Sequence, residues 1–132
     1  MYGGAIYNSG TLTINNSTIS GNSAYGAVGG GGGGIYNASV AKINNSTIGG
    51  NGGSPFGGGI FNGGTATLQN SIVAGNTLGG NCYGTMTSHG YNLSSDGTCT
   101  FKNTGDLNKT NPKLGTLQYN GGPTQTRASA LG

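Results

Sequence analysis

Residues 3–22 read GGAIYNSGTLTINNSTISGN, and the chain then repeats this stretch twice. Residues 32–51 read GGGIYNASVAKINNSTIGGN, and residues 57–76 read GGGIFNGGTATLQNSIVAGN. The steps between the copies are 29 and 25 residues, and the difference lies in the glycine-rich linker rather than in the repeated unit. A fixed repeat of this length is typical of a stacked array of structural units, so we expect the repeat to set the fold.

Within one copy, apolar residues alternate with polar ones. Leu12 and Ile14 are separated by a threonine, and in the second copy Lys42 occupies the corresponding outward-facing position. Alternation with a period of two is typical of a β-strand, and no stretch carries apolar residues at helical spacing. Three short strands and three turns per copy predict an all-β fold: a right-handed single-stranded parallel β-helix, or β-solenoid, with coils of about 25–30 residues.

Equivalent residues of successive coils should lie above one another at a spacing of roughly 4.8 Å. This predicts three inward core columns, namely Ile6, Ile35 and Ile60; Ile14, Ile43 and Leu68; and Ile19, Ile48 and Val73. Asparagines recur at the predicted corners, as Asn8, Asn37 and Asn62; Asn16, Asn45 and Asn70; and Asn22, Asn51 and Asn76. Asparagine tolerates left-handed backbone geometry, and its amide can form ladders between coils.

An aromatic residue followed by asparagine marks each predicted coil. The aromatic members are Tyr7, Tyr36, Phe61, Tyr91 and Tyr119, which predicts about five coils and a rod roughly 24 Å long. The neighbouring isoleucines point inward, so these aromatic side chains should form an outward column. Such a column could hold sugar rings or a partner surface, or it could be covered by the glycine-rich loops as a satellite core.

We interpret residues 1–132 as a single β-solenoid domain. Residues 1–76 hold the three regular repeats, residues 77–123 hold degenerate coils, and residues 124–132 form an extended tail. Cys82 and Cys99, the only cysteines, lie in the degenerate part, where one distant His89 completes no four-ligand metal site. A disulfide would stabilise such a loop-rich region, so we expect these two cysteines to be joined in an oxidising, extracytoplasmic compartment.

The charge pattern excludes several functions. Five basic and two acidic residues give a net charge of +3, with no interleaved aromatic residues or motif that would favour a nucleic-acid partner. No apolar run approaches the roughly 20 residues of a membrane span. An acid–base site could be built only from Asp96 and Asp106, and His89 stands alone, so we expect neither an enzyme nor a bound cofactor.

The repeat GGAIYNSGTLTINNSTISGN resembles those of bacterial polymorphic outer-membrane proteins and autotransporter passenger domains. The succession of GGGI(Y/F)N, QNSIVAGN, NCYGTMTSHGYNLSSDGTC and GDLNKTNPKLGTLQYNGGPTQT is more similar still to the C-terminal part of choice-of-anchor extracellular proteins, over nearly the whole chain. This resemblance implies a secreted or surface-attached parallel β-helix followed by an anchoring segment, and it supplies no catalytic residues. The chain departs from the family after Thr126, where it reads RASALG.

The expected function is that of an extracellular or cell-surface structural protein whose solenoids stack end to end into a fibre or filament. Only two residues precede the first GGAI, no capping signal is present, and few charges oppose axial self-association. The tail would then cap its own rod or add a strand to the next subunit. An adhesin-like or carbohydrate-binding module that uses the aromatic column is the alternative, and a polysaccharide lyase or hydrolase is a less favoured third.

Overall fold

The structure, a computed structural model, describes residues 2–26 and 30–129. These residues form short strands joined by turns and contain no helix. The first turn of the chain comprises β1 (Tyr2–Gly3), β2 (Ile6–Asn8), β3 (Thr11–Asn15), β4 (Thr18–Ser20) and β5 (Ser23–Tyr25). The second comprises β6 (Gly31–Gly32), β7 (Ile35–Asn37), β8 (Val40–Asn44), β9 (Thr47–Gly49) and β10 (Gly52–Ser54). There follow β11 (Ile60–Asn62), β12 (Thr65–Gln69), β13 (Ile72–Ala74), β14 (Cys82–Tyr83), β15 (Met86–Ser88), β16 (Leu93–Ser94), β17 (Gln118–Tyr119) and β18 (Gln125–Thr126).

Consecutive strands join different sheets, and each sheet collects the equivalent strands of successive turns. The three four-stranded sheets are parallel, with the orders β2-β7-β11-β14, β3-β8-β12-β15 and β4-β9-β13-β16. The pairs β1-β6 and β5-β10 extend the wall, also in parallel. The register places Ile6 opposite Ile35, and Ile35 opposite Ile60. The chain is therefore a parallel β-solenoid, and the predicted fold class is confirmed.

The solenoid is shorter than the five coils that the sequence predicts. Each of the three sheets has four strands, so the chain makes about three full turns between the first strand of a sheet and the last. The last turn is also compressed, since the step from Ser71 to its partner Asn92 is 21 residues instead of 29 or 25. The chain after residue 94 forms no further complete coil in the described part of the molecule.

The core consists of the three predicted columns. Ile35, Ile43 and Ile48 of the second turn are fully buried, as are the corresponding residues of the third turn. At the N-terminal end, Ile6 and the neighbouring inward Leu12 are only partly buried. The columns are thus sealed in the middle, and at the first turn only Ile6 and Leu12 stay partly accessible, because Ile14 and Ile19 are buried there.

The far end of the core is closed by the chain itself. Cys99 and Phe101 are buried against Cys82 and Met86, in the same hydrophobic cluster as the isoleucines. Backbone hydrogen bonds fix the closing segment at one sheet edge, where Ser94 N–H donates to the Leu107 carbonyl oxygen at 2.8 Å. The two ends of the solenoid therefore differ.

The exposed corner asparagines have left-handed backbone conformations. Asn16, Asn45 and Asn70 have φ values of 49°, 50° and 49°, a region in which asparagine is several-fold enriched among non-glycine residues. A different constraint acts at Gly33, where an added Cβ would meet the backbone of Gly52 and Gly58. Glycine is required there because the neighbouring turns approach each other too closely for a side chain.

The tail, predicted as an extended segment at residues 124–132, folds back along the side of the solenoid with β18 as a strand. Strands β17 and β18 pair antiparallel, and Leu114 bridges to Ser129 in the same sense. A Cβ added to Gly49 would meet Arg127 Nη1 at 3.3 Å and Leu114 Cδ1 at 3.4 Å, which places the tail against the outside of β9. The last part of the predicted tail, residues 130–132, lies outside the described residues.

Candidate functional site

The outward aromatic column exists, but its lower half differs from the prediction. The ring centroids of Tyr7 and Tyr36 are 5.3 Å apart, and those of Tyr36 and Phe61 are 4.6 Å apart. The next member is Tyr83, whose centroid lies 4.9 Å from that of Phe61. Parallel strands in register cause this stacking, because Tyr7, Tyr36, Phe61 and Tyr83 occupy equivalent positions in β2, β7, β11 and β14.

Tyr91 and Tyr119, which the sequence assigns to the column, are not part of it. Tyr91 lies at a turn with φ 58°, and its ring lies beside Gly105. Tyr119 belongs to the exposed β17-β18 hairpin of the tail. The assignment was wrong because aromatic–asparagine pairs also occur in turns, whereas the true member, Tyr83, is followed by glycine.

The column offers ring edges rather than ring faces to solvent. Each face inside the stack lies against the next ring, with interplanar angles of 15°, 7° and 25°. Tyr36 is buried, and Gly30 packs near the rings of Phe61 and Phe56. Sugar rings that stack on aromatic side chains need a free face, so the middle of the column is better suited to packing than to binding.

Two of the three corner columns form buried side-chain ladders. Asn8 Nδ2 donates to Asn37 Oδ1 at 2.7 Å, and Asn37 Nδ2 donates to Asn62 Oδ1 at the same distance. The second ladder runs from Asn22 through Asn51 and Asn76 to Asn81, with amide-to-amide distances of 3.0–3.1 Å. In the described part of the chain, every buried side-chain polar atom has a hydrogen-bond partner.

The third ladder is formed by residues that the sequence did not single out. Asn16, Asn45 and Asn70 are exposed, and the following serines take the inward place. Ser17 N–H donates to Ser46 Oγ at 3.1 Å, and Ser46 N–H donates to Ser71 Oγ at 3.2 Å. The signal was present, since a serine follows the corner asparagine in all three copies.

The two acidic residues terminate these ladders. Asn81 N–H donates to Asp96 Oδ2 at 2.9 Å, and Asn92 N–H donates to Asp106 Oδ1 at 2.8 Å. Asn81 and Asn92 are the last members of the second and third ladders. The carboxylates therefore accept hydrogen bonds from backbone amides that would otherwise need a further coil as their partner. The acids therefore act as caps for the closed end.

Hydrogen bonding sets the charge state of both carboxylates. Burial raises the pKa of Asp96, but hydrogen bonds from the Thr98 hydroxyl and amide, the Asn81 amide and the Ser94 hydroxyl outweigh it and lower the pKa below its usual value. Burial likewise raises the pKa of Asp106, and hydrogen bonds from Ser88, Asn92 and Asn103 lower it overall. Neither environment resembles that of a general acid, which needs a raised pKa.

The remaining candidate residues are dispersed. Cys82 and Cys99 form the predicted disulfide, which is confirmed with a Cα–Cα distance of 4.9 Å. His89 is exposed and donates its backbone N–H to the Leu68 carbonyl oxygen. Residues 2–26 and 30–129 include no group of three His, Cys, Asp or Glu residues that could hold a metal ion. The same residues include no helix long and apolar enough to cross a membrane.

Comparison with known proteins identifies no relative. No protein-family model matches the chain, and no curated protein or solved structure matches it either.

Proposed function

We propose that the protein is a non-enzymatic, extracellular structural β-solenoid that associates axially, end to end, with a second copy of itself. The observation that carries this proposal is the open N-terminal end of the core. Strands β2, β3 and β4 are the first strands of their sheets, and no described residue pairs with their outer edges. Bare parallel edges of this kind are templates for further strands.

The second corner ladder leaves an acceptor at the open end. Asn22 Oδ1 receives no hydrogen bond from any described residue, whereas its counterparts Asn51 and Asn76 each accept two from the preceding turn. Both Nδ2 protons of Asn22 are bonded within the chain, to Ser20 and Asn51, so a twofold-related copy presents the same acceptor and its backbone amides would have to supply the donors. The partly buried Ile6 and Leu12 would be covered by the same contact.

The difference between the two ends determines the expected assembly. The C-terminal end is covered by residues 98–110, with Cys99 and Phe101 closing the core. Association through the open ends alone would give a two-chain rod related by twofold symmetry. Growth into the expected fibre would additionally require a contact at the covered end, and the rod of two chains is then its building unit.

Charge does not oppose this contact. The first charged side chain in the sequence is Lys42, in the second turn, so no side chain of the first turn repels its copy electrostatically. The lowered pKa values of Asp96 and Asp106 and their capping hydrogen bonds favour a structural role over catalysis for the only acids. The disulfide supports an extracellular setting.

Sedimentation of the purified protein between about 1 and 100 µM tests the proposal. We expect a species of twice the mass of the 12.9 kDa chain to grow with concentration. Leu12→Lys should shift the equilibrium towards the monomer, because it places a charge at the open end of the core. Thr65→Lys is the matched control, since Thr65 is exposed and lies in the outward column of Thr11, two turns further from the open end, and it should leave association unchanged.

The proposal is wrong if the parent chain remains monomeric at the highest concentration and the amide of Tyr7, which alternates with the internally bonded amide of Ile6, exchanges freely. Equal effects of Leu12→Lys and Thr65→Lys on association would also contradict it. Species larger than two chains would show that the covered end takes part as well, as the fibre requires.

A further inference from the structure

A cleft separates the tail from the side of the solenoid. It has a volume of about 340 Å³ and is lined by Ala74, Ser95, Asn111, Pro112, Leu114 and Arg127. This volume lies at the lower end of the range of small-molecule sites, roughly 300–1,000 Å³. No residue that lines the cleft belongs to the aromatic column or to the first turn, so the cleft is independent of the proposed axial contact.

The side chain of Arg127 is held at the cleft by contacts with backbone atoms of neighbouring glycines. Its Nε donates to the Gly115 carbonyl oxygen at 2.9 Å. Its Nη1 lies over the Gly49–Gly50 corner, where a Cβ added to Gly50 would be only 2.6 Å away. Because both corner residues are glycines, the corner leaves enough room for the guanidinium group to pack against its backbone.

The charge of Arg127 has no counterpart within residues 2–26 and 30–129. No carboxylate of these residues forms an ion pair with it, and neither Nη atom donates a hydrogen bond to them. Both described acids are engaged elsewhere, as caps of the corner ladders. An oriented guanidinium with free Nη donors can bind a carboxylate in the bidentate manner.

Two neutral side chains in the cleft have hydrogen-bond donors that no described residue uses. Ser95 Oγ accepts hydrogen bonds from Gly75 N–H and from Asn81 Nδ2, both at 3.0 Å, which leaves its hydroxyl proton available. Asn111 Oδ1 accepts from Lys113 N–H at 2.8 Å, while its Nδ2 donates to no described residue. Both side chains can therefore donate to oxygen atoms of a ligand.

The apolar part of the lining consists of Ala74, Pro112 and Leu114. A ligand that suits this cleft combines a carboxylate with a compact body that has both hydroxyl and C–H groups. We infer that the cleft between the tail and the solenoid is a binding site for a small hydroxylated carboxylate of the uronic acid type, recognised by Arg127. Such a group occurs both as a free acid and within acidic polysaccharides. Both forms offer the carboxylate and the hydroxyl groups that the site would bind.

Titration of the isotope-labelled full chain with galacturonate, followed by amide NMR shifts, tests the inference. Galactose, which lacks the carboxylate, is the matched neutral probe, and acetate carries the carboxylate alone. We expect galacturonate to shift the amides around residues 74–75, 95 and 111–115 at concentrations at which neither control does. Oligogalacturonate that binds more tightly than the monomer would identify the polysaccharide as the source, and equal affinity would identify the free acid.

Arg127→Gln tests recognition but also removes the bond to the Gly115 carbonyl oxygen, whereas Asn111→Asp separates recognition from folding of the tail. Arg127→Gln should weaken galacturonate binding roughly tenfold or more, because it removes charge-assisted hydrogen bonds. Asn111→Asp keeps the acceptor for Lys113 N–H but places a negative charge beside the ligand, so it should weaken binding without releasing the tail. Lys113→Gln, on the same segment but outside the cleft lining, is the control and should bind as the parent chain does.

The inference is wrong if galactose or acetate produces the same shifts at the same concentrations as galacturonate. It is equally wrong if Asn111→Asp binds galacturonate as tightly as the parent chain while its tail amides keep their native shifts. A loss of binding in Lys113→Gln comparable with that in Arg127→Gln would show non-specific attraction by the positive net charge, and would also overturn it.

Discussion

Replacement of Asn51 by leucine should be among the most destabilising single changes in the chain. Asn51 is fully buried and occupies the middle of the second corner ladder. Its Oδ1 accepts from Asn22 N–H at 3.0 Å and from Asn22 Nδ2 at 3.1 Å, and its Nδ2 donates to the Ile19 carbonyl oxygen and to Asn76 Oδ1 at 3.0 Å each. Leucine has a similar volume but can make none of these bonds.

The magnitude follows from the groups that lose their partners. Asn76 Oδ1 keeps a donor, because Asn51 N–H still reaches it at 3.0 Å. The Asn22 N–H loses its bond to Asn51, and the Ile19 carbonyl oxygen loses one of two bonds, since the register of β4 and β9 keeps the Gly49 N–H on it. At about 1–3 kcal/mol for the unsatisfied N–H and about 0.5–1.5 kcal/mol for the bond lost at Ile19, the free energy of unfolding should fall by about 1.5–4.5 kcal/mol. This is a large part of the roughly 5–15 kcal/mol that stabilises a typical domain.

The same substitution at Asn22 is the matched control. Asn22 is the first member of the ladder and is only partly buried, so water can replace the bonds that its side chain makes to Ser20 and Asn51. We expect Asn22→Leu to cost about 0.5–1.5 kcal/mol. Urea unfolding at neutral pH, monitored by circular dichroism and tyrosine fluorescence, gives both values. If Asn51→Leu is no more destabilising than Asn22→Leu, the buried amide ladder does not stabilise the corner, and the reasoning fails.

Three further predictions concern the core, the disulfide and the acidic caps. Ile43→Asp should abolish folding, because an unpaired buried carboxylate costs several kcal/mol; an unchanged melting temperature would exclude the inward register of Ile43. Non-reducing peptide mapping should find Cys82 joined to Cys99, and reduction should lower the free energy of unfolding by about 3 kcal/mol, whereas two free thiols in native protein would contradict the bond. The pKa values of Asp96 and Asp106 are lower in the folded chain, so their stabilisation is complete above the unfolded pKa of about 4 and is lost as the pH falls below it through the folded values. Urea midpoints at pH 6 and pH 3 should show this loss, and Asp96→Asn should reduce it; a midpoint that rises on acidification would contradict the sign.

The sequence alone determined the solenoid and its core. Three copies with aligned isoleucines specify which residues face inward and which residue lies above which, because in a parallel stack each residue pairs with its own copy one turn later. The columns that begin at Ile6, Ile14 and Ile19 follow directly from this rule. So does the upper half of the aromatic column, from Tyr7 through Phe61. The disulfide followed from having only two cysteines in a loop-rich region.

Only the tertiary structure decided what happens where the repeat ends. After residue 76, no copy indicates the partner of a residue, and a shortened turn placed Tyr83 under Phe61, where the sequence suggested Tyr91. The caps that Asp96 and Asp106 provide depend on contacts across 14–15 residues of irregular chain. The physical reason is that a repeat encodes its own neighbours through a fixed period, whereas the closure of an end and the path of the tail depend on non-periodic contacts, such as that of Arg127 with Gly50, which no spacing in the sequence records.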